Sequence, residues 1–204
     1  MRLARQLSHP FSPVFALTFA VILHGLRREP EPLRAFSEEA LAVATEHGFA
    51  FWVAPATAWR GWALVEQGQP EEGLHQIRQG MTRWRDVGYK VLVAWVLMTL
   101  VEACGKTGRV DEGLCLVAEA LAIIDGTGEG MCEAELHRLK GELLPAQGIP
   151  DERRAGACFQ QAIEIARRQQ AKSWELRAAT SLSRLWQRQG KCAEARKLLA
   201  PIYS

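Results

Sequence analysis

This sequence lacks an excess of charge of either sign, a membrane-length apolar run and any paired-cysteine spacing. Each absence removes a class of protein. Its 204 residues carry 25 Lys and Arg against 23 Asp and Glu, a formal net charge of +2. That balance gives no electrostatic footprint for nucleic acid or an anionic membrane, and the doublets Arg153-Arg154 and Arg167-Arg168 are too few to supply one. The apolar stretches 14–23 and 91–101 fall short of the roughly 20 residues that cross a bilayer. The first of them follows Arg2 and Arg5 as a secretion signal would. No small-residue cleavage pattern comes after it, however, and His24, Gly25, Leu26, Arg27 and Arg28 are next. Both stretches are expected as buried helix faces. The five cysteines, Cys104, Cys115, Cys132, Cys158 and Cys192, form no CxxC pair, and an odd number cannot be fully paired within one chain. They are expected as free, mostly apolar fillers in a cytoplasmic protein.

Hydrophobic residues at 48% and charged residues at 24% are globular proportions, which argues against global disorder. A period organises them. EQGQPEEGL from Glu66, KTGRVDEGL from Lys106, AQGIPDERR from Ala146 and RQGKCAEAR from Arg188 align on Gly68, Gly108, Gly148 and Gly190, at intervals of 40, 40 and 42. One interval further back falls on Arg28, in RREPEPLRA. In each segment a helical stretch ends at a glycine, which adopts the left-handed conformation that satisfies the orphan carbonyls of a helix end. A proline or an acidic residue then opens the next helix, where amides are unpaired and the dipole is positive. Apolar positions recur at helical spacing, as at Phe159, Ala162, Ile163 and Ala166. No segment alternates with period two, so no strand is expected.

The pattern predicts ten helices. First members of each pair lie near 12–26, 50–67, 90–105, 131–146 and 173–189. Second members lie near 31–47, 70–87, 110–124, 151–170 and 192–202. The fold class is all-α: a right-handed α-solenoid of about five helix pairs with a roughly 40-residue period, in one domain spanning 1–204. Its units fall at about 9–48, 49–88, 89–128, 129–172 and 173–204.

These anchors resemble the tetratricopeptide repeat. That motif places a glycine seven residues before the turn glycine, as Gly61 and Gly141 stand to Gly68 and Gly148. It asks for small residues five and twelve positions after the turn, which Gly73 with Gly80, Gly113 with Ala120 and, after a two-residue turn insertion, Ala155 with Ala162 supply. Small side chains are needed there because the two helices of a pair cross closely. The chain departs from the motif in its period, 40 rather than about 34, and in having Thr57, Leu97 and Ala179 near the early tryptophan position. Residues 138–203 resemble more specifically the C-terminal arrays of large bacterial signalling proteins. In those proteins a nucleotide cyclase or kinase domain is fused to a predicted ATPase. The resemblance implies that this chain corresponds to such an array alone, as a fragment or truncated frame, without the cyclase or ATPase motifs.

Catalytic motifs are near misses. Gly105-Lys106-Thr107 has the tail of a phosphate-binding loop, but Leu100 stands where a glycine is required and a helix, not a strand, precedes it. Gly126 to Gly130 reads as a flexible linker between repeats. His9, His24, His47, His75 and His137 lie in different units, with no metal-binding spacing. Glu133, Glu135 and Glu142 are expected as a solvated acidic helix face. No enzyme activity, cofactor or metal is expected.

The resemblance implies that first helices line a concave surface, with groove positions 13, 10, 6 and 2 residues before each turn glycine. Those positions select Trp62 and Glu66; Trp95, Glu102 and Lys106; Glu135, Arg138 and Glu142; and Arg177, Arg184 and Arg188. Trp62 and Trp95 either face the groove or pack between helices. Arg177, Arg184 and Arg188 either receive an acidic segment or form a solvated face with Glu175 as partner. Trp52, Trp59, Trp84, Trp174 and Trp186 are assigned to the core between repeats. The expected role is a protein or peptide scaffold acting through the concave face, as the regulatory end of a signalling ATPase. The alternatives are a homo-oligomer formed through the terminal repeats, or a small-molecule sensor between Trp62 and Trp95. No nucleic acid or membrane partner is expected.

Overall fold

Apart from Leu92, which precedes a helix, the described residues in the left-handed backbone region recur about every twenty positions: Arg28, Gly48, Gly68, Gly88, Gly108, Gly128, Gln170 and Gly190. Each follows the end of a helix, and the helices between them fill the fold. The computed structural model describes residues 9, 11–86, 88, 92–146 and 151–202. Gly148, the third turn glycine of the sequence pattern, lies outside them.

Ten α-helices are present among the described residues: α1 Phe11–Leu26, α2 Pro30–Glu46, α3 Ala50–Glu66, α4 Pro70–Asp86, α5 Val93–Lys106, α6 Val110–Thr127, α7 Glu133–Leu143, α8 Glu152–Arg168, α9 Lys172–Arg188 and α10 Cys192–Leu199. Short 3-10 turns at Gly130–Cys132 and Leu144–Ala146 flank α7, and a third, Ala200–Ile202, follows α10. The described residues contain no strand, so the all-α expectation holds.

The turns work as the sequence pattern requires. At Gly68 the amide donates to Val65 O at 3.2 Å, and the following Gln69 amide donates to Leu64 O at 2.9 Å. Gly48, Gly190, Gln170 and Arg28 repeat this paired closure, which satisfies two carbonyls at once. At Arg28 and Gln170 a side chain tolerates a conformation that costs about 1 kcal/mol or more relative to glycine. At these two turns the glycine pattern is interrupted, and only the period marks the position of Arg28. Pro30 and Pro70 open α2 and α4, and Asp151 caps α8 by accepting from the Arg154 amide at 2.9 Å. Gly126 to Gly130 is not the expected flexible linker. Gly126 and Thr127 complete α6, Gly128 closes it in the left-handed conformation, and Gly130 begins the 3-10 turn.

The chain divides into two compact units, 1–107 and 108–204. In the first, α3 and α4 cross where there is room only for backbone. A Cβ built on Gly61 would lie 2.6 Å from Gly73 O, and one on Gly80 would lie 2.7 Å from Ala54 O. The α5 helix is buried continuously from Ala94 to Cys104. Trp59 and Trp84 are buried core residues, and Trp52 packs with Val14 and Ala44. In the second unit Phe159 lies over Gly141, and a core of Ala155, Phe159, Ala162, Ile163, Ala178, Leu182 and Leu185 joins α8 to α9, with Trp186 against it.

Candidate functional site

The groove positions assemble into two charged clusters, one in each unit. In the first unit, Trp62 and Glu66 sit one turn apart on α3, and Glu102 and Lys106 one turn apart on α5. The 40-residue step thus sets tryptophan against glutamate and glutamate against lysine. The Trp62 indole N–H donates to Glu102 Oε2 at 3.1 Å, and Lys106 Nζ donates to Glu66 Oε1 at 2.5 Å. Arg28, in the turn after α1, joins both carboxylates: it reaches Glu66 Oε1 at 3.1 Å and also pairs with Glu102. Its guanidinium lies 5.7 Å from the Trp62 ring centroid, a cation–π distance. Arg28 was not among the sequence candidates. Its signal was its place one period before Gly68, on the turn.

In the second unit, Arg138 grips Glu135 with two parallel bonds, Nε to Oε2 at 2.9 Å and Nη2 to Oε1 at 2.8 Å. Arg177 of α9 reaches the same Oε1 at 2.6 Å. One turn along, Glu142 accepts from Arg138 at 3.1 Å and from the Ser181 hydroxyl at 2.6 Å. Arg177 also covers the Trp174 ring at 5.2 Å. Arg184 and Arg188 continue the Arg177–Ser181 stripe on α9, are exposed, and form no ion pair among the described residues.

Three expectations need correction. Trp62 and Trp95 are each only 2% exposed, so they give no aromatic wall for a small molecule, because α3 and α5 are buried on nearly every side. Glu135 is not on a solvated acidic face: it is 2% exposed, and its charge is held by two guanidiniums. Glu175 does not partner the α9 arginine stripe. It is buried and bonds Arg167 at 2.7 Å and Lys172 at 2.9 Å, and those two cations hold its carboxyl below the usual carboxylate range.

Burial pushes the Cys132 thiol up to about 12, too high for a nucleophilic thiolate. An open cleft of about 680 Å³ in the first unit is lined by Leu41, Ala44, Val53 and neighbours, with Arg83 and Asp86 at its edge. Among the described residues no cluster of three His, Cys, Asp or Glu could hold a metal, and no helix is long and apolar enough to cross a membrane. His137 is buried on α7 with Nδ1 unpartnered. Burial, then Lys140, lowers its pKa below 6.5, while Asp125 opposes the shift. The folded protein therefore binds fewer protons than the unfolded chain, and stability falls as pH drops below about 6.5. Urea unfolding between pH 7 and pH 5 should show a decline that His137→Gln reduces.

No protein-family model matches this chain, and no curated protein matches it significantly. Solved structures do match. A putative kinesin light chain from Podosopora anserina with nearly identical TPR-like repeats has a TM-score of 0.62 at 16% identity, covering 97% of this chain and 96% of that one. A Rap protein complexed with competence and sporulation factor has a TM-score of 0.72 at 13% identity, covering 98% of this chain and 57% of that one. A signal-transduction ATPase with numerous domains and a tetratricopeptide repeat sensor, from Pyrococcus horikoshii, has a TM-score of 0.67 at 15% identity, covering 99% of this chain and 31% of that one. The fold is a tetratricopeptide-like α-solenoid.

Proposed function

We propose that this chain is a non-catalytic recognition scaffold that binds an acidic segment of a protein or peptide on the concave face formed by its first-member helices. The carrying observation is the charge of the second-unit cluster. Arg138 and Arg177 pair with Glu135 and Glu142, whereas Arg184 and Arg188, further along α9, are exposed and form no ion pair among the described residues. Arginine forks suit carboxylates, and arginine is a common anchor of recognition surfaces. In the first unit the corresponding cluster is balanced: Arg28 and Lys106 stand against Glu66 and Glu102. That cluster sets the spacing of α3 and α5, and the acidic ligand goes to α9.

The fold supports a binding role, since the Rap protein was solved with a bound factor and the Pyrococcus ATPase uses such an array as a sensor. On this reading the array is the regulatory end of a bacterial signalling protein with an ATPase and a cyclase or kinase domain. Its ligand shifts those domains between states of different affinity. The test is affinity capture from a bacterial lysate with wild type and an Arg184→Glu/Arg188→Glu variant in parallel. A protein retained by wild type and lost from the variant is expected; equal retention removes α9 as the recognition surface.

A further inference from the structure

The first helix carries an apolar stripe that stays about half exposed, although Phe11 meets Phe49 and Trp52, and Phe15 meets Trp52, edge-on. Phe11, Phe15, Phe19 and Leu23 recur at four-residue steps on α1, with Leu26 completing the row, and their exposures are 41%, 46%, 55%, 51% and 36%. The phenyl rings meet along the helix, Phe11 stacked on Phe15 at 6.0 Å and Phe15 tilted against Phe19 at 4.9 Å. The 40-residue step maps Phe15, Phe19 and Leu23 onto Pro55, Trp59 and Ala63 of α3, which are all buried. In α3 that face belongs to a helix enclosed by its neighbours; in α1 the same face is open. Single exposed apolar residues are ordinary, whereas a continuous row of this length marks an interaction surface.

We propose that this face pairs with the same face of a second copy, α1 against α1 about a two-fold axis. Three observations favour that occupant. Between Phe11 and Leu26 there is no Asp, Glu, Lys or Arg, so two copies approach without like-charge repulsion. A helix built for a membrane surface would instead carry Lys and Arg on its polar face. The last helices, α9 and α10, show no exposed large hydrophobic side chain among the described residues. Head-to-tail stacking therefore lacks a counterpart, and the matching apolar surface in this chain is α1 itself, the self-complementary case of a closed dimer.

The area approaches what a specific interface needs. Aromatic side chains present about 150–250 Å² each. Three of them at roughly half exposure, with the two leucines, offer about 450 Å² per copy. A pair then buries about 900 Å² from these residues alone, near the ~1,000 Å² threshold of specific interfaces before flanking atoms are included.

Sedimentation equilibrium of the full chain across micromolar concentrations tests this. The expected result is a dimer of about twice the 22.7 kDa chain mass. Its dissociation constant should rise at least about 100-fold in Phe19→Glu/Leu23→Glu and, as the milder variant, in Phe19→Gln/Leu23→Gln. Helical circular dichroism should be retained. Met131→Glu, at the exposed large hydrophobic of the second unit, should leave the dimer unchanged. A wild-type monomer throughout, a dimer indifferent to folded α1 variants, or a monomer that partitions onto phosphatidylcholine vesicles through α1 would overturn the proposal.

Discussion

Glu135→Ala should lower stability by about 3 kcal/mol, one of the larger effects open to a single substitution in this chain. The carboxylate is 2% exposed and neutralises both Arg138 and Arg177. Removing one member of a buried ion group leaves the others desolvated and unpaired, and that penalty exceeds what the interaction contributes when intact. Arg138 would keep Glu142 at 3.1 Å, but Arg177 would lose its 2.6 Å contact with Glu135. For a chain of this size the loss corresponds to a melting shift of about 6–12 °C. Two comparisons separate this cause from a general sensitivity of α7. Glu142→Ala, at a carboxylate 46% exposed, should cost under about 1 kcal/mol because water screens it. Replacing Glu135, Arg138 and Arg177 together by Leu, Met and Met should recover most of the loss, since no charge then remains buried. A triple variant as unstable as Glu135→Ala would show that packing, not charge, sets the cost.

Gly73→Ala should destabilise by about 2 kcal/mol, against the usual sign of such a change. Alanine in a helix interior is about 1 kcal/mol better than glycine on propensity alone. At position 73, however, the new methyl would lie 2.5 Å from Gly61 O and 2.5 Å from Val65 Cγ2. Backbone cannot yield as a side chain can, so α3 and α4 must separate, at about 3 kcal/mol of overpacking. Gly126→Ala is the internal reference. That glycine is within α6 and its added Cβ meets nothing within 4 Å, so it should stabilise by about 0.5–1 kcal/mol. Chemical denaturation of both variants reads the contrast directly; the same sign for the two would refute the close-crossing argument.

The fold was largely legible because its punctuation is glycine. Gly68, Gly108 and Gly190 mark helix ends with positive φ, and helix boundaries read from them fall within a few residues of those observed. The second series of turns, at Gly48, Gly88 and Gly128, falls at the expected unit ends, although Gln170 interrupts it as Arg28 interrupts the first. The small positions Gly61, Gly73 and Gly80 were legible for a similar reason: a missing side chain at fixed spacing records a close approach. The division at Thr107 was not legible, since no composition change marks it.

The candidate site was legible in membership more than in state. Counting back from the turn glycines found Trp62, Glu66, Glu102 and Lys106 in the first unit, and Glu135, Arg138, Glu142 and Arg177 in the second. These residues do meet. Spacing could not reveal that they meet one another. Burial depends on how many neighbours enclose a first-member helix, and a one-dimensional pattern does not carry that number. Hence Trp95, placed at a groove position by counting, is enclosed within α5's buried run, while Arg184 and Arg188 remain exposed.

The central claim is tested most directly by titrating the full chain with a fluorescein-labelled Asp/Glu-rich dodecapeptide bearing a free carboxy terminus. A Lys-rich peptide of equal length serves as the reference, and both are measured at several salt concentrations. The account predicts saturable binding of the acidic peptide that weakens with salt, is lost in Arg184→Glu/Arg188→Glu, and persists in Met131→Glu. Acidic and basic peptides held equally well, or acidic binding untouched by the α9 variant, would contradict it.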